Sequence, residues 1–377
     1  MKKLLLATLV GLFLLPALLG ALELKISGEM WNRWTLEQGK VFADTSLTAY
    51  KKEITKNFFS LERGYVGMEA KFSQSMKGRF TVDIFSSDIL KDGAGLKLKY
   101  AYLDFSNLIP IPDLTTTVGL QKVYFGSIYD WSYNLIGKAP TDEYKYANSA
   151  DYGISLNGYL PGGWGEYQLG MYNGEGYKNY GSNLKDNIDP AFLANLRIVP
   201  TAGLTIGGSV MANGSERKLK LADATENSSY NTQLLADGIL RAAFGPLDIW
   251  AEYLYKDISY APNFSAKDYS ATCFSVFPTL KLKSLIGADI DLQGRYDRSD
   301  ETRMPDSKKK NLLNAWTGGL NFNFMADDSG SPALQAQLNY VRKDYDEDAS
   351  GTDYANGKKD TDTVMLQLKW RFASTIY

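Results

Sequence analysis

Residues 364–372 set the pattern of the chain: Val364, Leu366, Leu368, Trp370 and Phe372 alternate with Met365, Gln367, Lys369 and Arg371. A period of two is that of an extended strand, here with one apolar face and one charged, hydrogen-bonding face. The same alternation recurs over 66–72, 80–84, 286–292 and 334–340. A buried sheet would be apolar on both faces, and a soluble edge strand would not carry Trp and Phe on its wet side. An apolar stripe toward lipid, opposite a polar stripe toward water, is the pattern of a transmembrane β-barrel. Charged residues fall on the second stripe, as the cost of Lys or Arg at the bilayer midplane, roughly 2–4 kcal/mol, requires.

The breaks between amphipathic runs are alternately short and long. Short ones fall at 73–77, 106–113, 161–163, 200–203, 245–246, 283–284 and 325–331. Long ones fall at 39–57, 86–95, 124–150, 173–187, 214–230, 259–267, 300–310 and 348–360. Short periplasmic turns and longer outer loops are the rule for such barrels. The count predicts an all-β, antiparallel transmembrane barrel of about sixteen strands, or eighteen if a strand splits near Asn107–Asp113. Both termini then lie on the periplasmic side. A last strand ending on an aromatic, Phe372, resembles the assembly signal of bacterial outer-membrane proteins, with Ala373–Tyr377 as an extension beyond it.

The first residues read as a secretory signal: Lys2 and Lys3, then the apolar run Leu4–Leu19, then a cleavage site after Ala21. This divides the chain into a cleaved segment 1–21 and a barrel domain 22–377, and the bacterial outer membrane is the expected location. Beyond residue 21 no apolar run approaches the roughly 20 residues of a membrane helix. Losing Lys2 and Lys3 takes the formal charge from −2 to −4, which gives no footprint for nucleic acid. Cys273 is the lone cysteine, so no intrachain disulfide forms, and histidine is absent. Without His the commonest general base and nitrogen ligand are missing. Asp289 and Asp291 read as pore-wall charges rather than a catalytic or calcium pair, and no phosphate-binding Gly-rich loop is present. No enzyme activity, cofactor or metal is expected.

A series of short motifs then gives a resemblance. These are Phe59-Ser60-Leu61-Glu62-Arg63-Gly64-Tyr65-Val66-Gly67-Met68-Glu69, Ala101-Tyr102-Leu103-Asp104-Phe105 and Val118-Gly119-Leu120-Gln121-Lys122. They continue with Asp151-Tyr152-Gly153-Ile154-Ser155-Leu156-Asn157-Gly158, Met171-Tyr172-Asn173-Gly174 and Gly245-Pro246-Leu247. In this order and spacing they resemble the phosphate-selective porin O and P family over nearly the whole mature chain. The resemblance implies a 16-stranded, homotrimeric outer-membrane diffusion channel, in contact with lipid and lipopolysaccharide. The chain departs from strongly anion-selective members in carrying acids throughout its lumen face.

In porins the third outer loop folds inward to make the constriction. Here that loop is 124–150, the longest of the set, with Tyr129 and Trp131 among its aromatics and Asp130, Asp142 and Glu143 as its acids. A long ordered loop in a closed barrel is usually functional. Strand phase places Arg33, Arg63, Arg79, Lys97 and Lys99 on the lumen face of strands one to four, with Lys369 and Arg371 on the closing strand beside strand one. Closure thus gathers a basic wall in one sector, with Glu29, Glu69 and Asp83 among it and Asp289, Asp291 and Asp297 on strand thirteen. The expectation is a basic wall facing an acidic loop across water, a standard device for ion selectivity. The function expected is passive diffusion of small hydrophilic solutes and ions. The alternatives are a channel specific for phosphate-like anions or sugars, or a closed structural or adhesive barrel.

Overall fold

The computed structural model describes residues 23–42, 50–86, 93–128, 130–177, 190–220, 226–260, 268–303, 312–327, 332–345 and 360–376. The expected signal segment, Tyr129 and most of the long-loop tips lie outside them. Sixteen strands alternate with turns and loops: β1 (Glu23–Phe42), β2 (Tyr50–Lys71), β3 (Met76–Ser86), β4 (Ala94–Ser106), β5 (Thr115–Lys122), β6 (Ala150–Leu160), β7 (Gly165–Tyr172) and β8 (Ala191–Thr201) form the first half. The second half is β9 (Leu204–Lys220), β10 (Glu226–Phe244), β11 (Leu247–Tyr260), β12 (Tyr269–Lys281), β13 (Ile290–Arg303), β14 (Leu312–Ala326), β15 (Pro332–Tyr345) and β16 (Thr361–Ile376). Each strand pairs antiparallel with its chain neighbours, and β1 pairs with β16 from Leu24↔Ile376 to Gly39↔Thr361, which closes the barrel. Closure leaves no sheet edge, so every strand finds two partners. Residues 373–376, an extension by sequence, simply continue β16 along β1.

Burial runs opposite to that of a soluble protein. Leu366, Leu368, Trp370, Phe372, Val210, Phe274 and Leu338 are exposed on the outside, whereas Asn321, Gln337, Asn339 and Gln367 are buried within. This is the polarity that alternation predicts for strands between lipid and lumen.

The segment 107–114 is a turn, as the short break there predicted, and the count is sixteen rather than the alternative eighteen. Two details depart from the sequence expectation. Residues 286–289 belong to the β12–β13 connection, where Lys283–Ile286 coil into one helical turn that ends at Gly287 with φ 75°. Ile286 and Ala288 therefore sit below the strand, and Asp289 is a turn residue bonded to Lys283 Nζ instead of a wall residue of β13. Finally, strands run further into the loop end than the breaks suggested: β1 and β2 pair out to Phe42↔Tyr50, and β9 with β10 out to Lys220↔Glu226.

Among the register shifts along β1 to β4, two β-bulges bear on the basic wall. One puts Glu62 opposite no residue of β1, between Trp31↔Arg63 and Asn32↔Leu61. The other does the same for Lys99, between Thr81↔Tyr100 and Val82↔Leu98. A bulge adds one residue to one strand and re-aims the side chains beside it.

Candidate functional site: the loop-three constriction

The long connection between β5 and β6 folds into the lumen. It is held there by an apolar contact that is unusual for a barrel interior. Near the loop end, the inward positions Leu193, Met211, Leu235, Leu254, Ala271, Cys273, Leu313 and Ala315 form one buried cluster with Val123, Phe125, Ile128, Ala139, Tyr144 and Tyr146 of the loop. Cys273 is a buried filler in that cluster.

Hydrogen bonds fix the register of the loop on this wall. Ser127 N and Thr141 Oγ1 donate to Glu252 Oε1 at 2.7 and 2.9 Å. Gly126 N donates to Ser209, and Asn195 donates to the Tyr124 carbonyl at 2.7 Å. Gly126 has φ 59°, and a Cβ there would meet Thr141 Oγ1 and Glu252 Oε1 at 2.4 and 2.5 Å, so only glycine allows this approach. Further round, Arg295 Nη1 donates to the Lys138 carbonyl, Tyr144 to Asp297, Asn321 and Gln337 to the Asn134 carbonyl, and Lys369 to the Ser132 carbonyl. Loop three therefore lies along the inner wall from β8 to β16. A cavity of about 330 Å³ lies on its loop-end side, against Arg33, Glu37, Lys56 and Lys343. Another of about 240 Å³ lies on its turn-end side, against Arg241, Trp250, Phe277 and Lys281.

The acids of loop three are not left facing the basic wall. Asp130 pairs with Arg197 of β8, Asp142 lies 3.8 Å from Lys138 within the loop, and Glu143 pairs with Lys343 of β15 at 3.3 Å. Glu143 shares the larger cavity with Arg33, yet its bond is to Lys343. The picture of an acidic loop opposing a basic wall is corrected to this extent: the loop carries its own counter-cations, because its docking surface supplies Arg197, Arg295 and Lys343. Burial by itself raises the pKa of Glu143, but Lys343 and Arg295 outweigh it and hold the carboxyl below the usual range.

The predicted basic set does converge on the lumen face. Arg33 donates to Gln367 Oε1 at 2.8 Å and pairs with Glu62 at 3.0 Å, the acid that the first bulge turns inward. Arg63 stands over the rings of Trp31, Tyr133 and Tyr65, with centroids at 4.3, 4.4 and 4.7 Å. Tyr133 belongs to loop three and has φ 55°, a conformation that costs a bulky side chain energy and occurs where surroundings impose it. Arg79 lies 4.8 Å from the Tyr100 ring and 3.5 Å from Glu69. Lys97 lies 3.6 Å from the Phe85 ring. The second bulge buries Lys99 against Ser149 and Tyr177. Lys369 sits 3.7 Å from Glu29 and 5.3 Å from the Trp31 ring, while Arg371 pairs with Asp327 near the turn end. Trp131 is turned away from this wall: its indole N–H bonds the Gly137 carbonyl and its ring edge meets Phe277 at 5.4 Å.

Alternation overlooked the lumen aromatics Trp31, Tyr65, Tyr100 and Tyr102, and the buried Arg197. A signal for the first existed, since Tyr65 shares a phase with Arg63. For Tyr100 it did not, because the bulge at Lys99 reverses the phase.

No family model and no curated protein sequence matches this chain, so the resemblance to the O and P porins rests on the motifs quoted above. Among solved structures, the outer membrane protein OmpT of Vibrio cholerae in its trimer form aligns with TM-score 0.60 at 11% identity, covering 93% of this chain and 99% of that one. An anion-selective porin from Comamonas acidovorans aligns with TM-score 0.60 at 10% identity and the same coverage. The outer membrane channel DcaP of Acinetobacter baumannii aligns with TM-score 0.57 at 14% identity, over 93% of this chain and 97% of that one. Likeness at these identities is likeness of fold: the chain has the architecture of the outer-membrane barrels.

Proposed function

We propose that this chain is a porin of the bacterial outer membrane, a passive diffusion channel for small hydrophilic solutes and ions that favours anions. Its apolar outer stripe faces lipid and lipopolysaccharide, and three copies associate. The observation that carries the reading is how loop three is placed: its apolar cluster holds it on the wall from β8 to β16, while Tyr133 and Ser149 reach the basic wall of β1 to β4. A loop that covers one wall narrows a lumen without filling it, and a sixteen-strand barrel is wide enough for an aqueous channel. The cations supply the sign, as charged patches do in channels.

A planar-bilayer recording in a salt gradient tests this. The expected outcome is discrete conductance with a reversal potential on the anion side, moved toward cations by Arg63→Gln with Arg79→Gln. The shift should shrink as salt rises, since the Debye length falls from about 10 Å at 0.1 M to about 3 Å at 1 M. A closed structural or adhesive barrel would give no conductance, and selectivity indifferent to the two arginines would move the filter elsewhere.

A further inference from the structure

The basic wall is built in an unusual way. Of its seven cations, Arg63, Arg79, Lys97, Lys99 and Lys369 each lie over an aromatic ring. Arg63 has three, those of Trp31, Tyr65 and Tyr133. A wall meant only to attract small ions would gain from open, hydrated cations. Rings beside these cations instead remove water from one face without adding a counter-charge, since cation–π attraction carries none, and the carboxylates of Glu69 and Glu29 stand at 3.5 and 3.7 Å from Arg79 and Lys369. The guanidinium is weakly hydrated and offers its N–H edge to a carboxylate in a planar, two-bond match.

We propose that these cation–aromatic stacks form a binding track for organic anions that carry a carboxylate on a flat apolar body, such as aromatic carboxylates, in preference to small inorganic oxyanions. The proposal rests on the anion-favouring reading of the pore and names its solute class. Such an anion gains twice, its carboxylate from Arg63 or Arg79 and its ring from Tyr133, Tyr65 or Tyr100. Phosphate can take the same guanidinium edge but has no ring to lay on the tyrosines, and it gives up stronger hydration on leaving water. Tyr133 links the track to the constriction: its left-handed backbone brings a loop-three ring onto Arg63, while its carbonyl accepts from Gln337 at 2.9 Å. A solute at Arg63 therefore touches both sides of the opening.

Reversal potentials under bi-ionic conditions, with chloride on one side and benzoate, acetate or phosphate on the other, give the permeability ratios. Benzoate should exceed acetate and phosphate although it is the bulkier carboxylate. Tyr133→Leu with Tyr100→Leu should lower the benzoate-to-acetate ratio about two- to fivefold, which is what roughly 0.5–1 kcal/mol of ring contact converts to at tenfold per 1.4 kcal/mol. Tyr133→Phe with Tyr100→Phe, which keeps both rings, should retain it. Unboiled gel mobility identifies any variant whose barrel has not assembled, and the Phe pair then carries the comparison with the single Tyr100→Leu. If the channel prefers anions but benzoate ranks below acetate, or the ratio ignores loss of the rings, this proposal falls and the anion-favouring reading stands. If chloride itself is not preferred over potassium, both fall.

Discussion

At the scale of single residues, the constriction depends on a few carboxylates that serve as anchors rather than as free charges. Glu252 accepts from both Ser127 and Thr141, and Glu143 is held by Lys343. Because the pKa of Glu143 is depressed, its pair with Lys343 contributes to loop docking above the unfolded value and is lost as pH falls through the lower folded one. Glu143→Gln should therefore raise open-channel current noise at pH 7. The difference from the unmodified protein should persist through pH 5 and vanish only below the ordinary Glu value of about 4.3. A noise transition in the unmodified protein near neutral pH would contradict this assignment. Gln367 shows how much a single contact alters expectation. Phase alone marks it as a water-facing position that tolerates charge, but its oxygen accepts from Arg33 at 2.8 and 3.0 Å and its amide donates to Gln337 at 2.7 Å. An arginine there would lose the acceptor and face another arginine.

At the scale of elements, β16 is the strand whose pattern most fully determines its placement. Leu368 is exposed on the outer face, while Met365 lines the cavity on the loop-end side of loop three. Leu368→Arg puts a charge into hydrocarbon at a cost of roughly 2–4 kcal/mol and should sharply reduce the yield of folded barrel in membranes. Met365→Arg puts the same charge into water and should assemble near the normal yield. Equal loss from both would mean that the phase of β16 is reversed. The strands around loop three tell the opposite story. In Phe192-Leu193, Leu234-Leu235 and Leu312-Leu313, adjacent residues are both apolar, and in each pair the second residue joins the buried cluster. Alternation fails there because the inner face also needs to be apolar where a loop covers it.

At the scale of the whole molecule, the barrel wall is uneven. β5 and β7 have 8 residues each and β6 has 11, against 22 in β2 and 19 in β10. A tilted strand needs about 9–11 residues to cross the hydrocarbon. A wall segment at or below that limit is poorly matched to lipid, yet Val118, Ile154, Leu169 and Met171 expose apolar surface on it. Contact with another copy would cover this low wall, which gives the proposed trimer its position on the barrel. Light scattering in mild detergent should return a three-chain mass, and Met171→Arg should lower it toward one chain while unboiled gel mobility still reports a closed barrel. A single-chain mass for the unmodified protein would remove the trimer.

The alternation of residues by itself determined the barrel, its sixteen strands, the inward phase of the basic set and the identity of the long loop. It could do so because lipid and water act on each strand separately and every second residue answers to one of them. Strand ends were less legible, since paired strands extend past the lipid boundary where neither solvent imposes a pattern. Only the tertiary structure decided what the side chains meet inside. Two bulges, each one unpaired residue, turned Glu62 and Tyr100 to the lumen side. Docking of loop three then set the partners: Arg197 and Lys343 took its acids, and its Tyr133 reached Arg63. These contacts join residues 67 to 200 positions apart, and a period-two pattern carries no information about such pairs. The sign of the wall was thus written along the chain, whereas the stacking of Arg63 on a ring of loop three arose from closure of the barrel around its own loop.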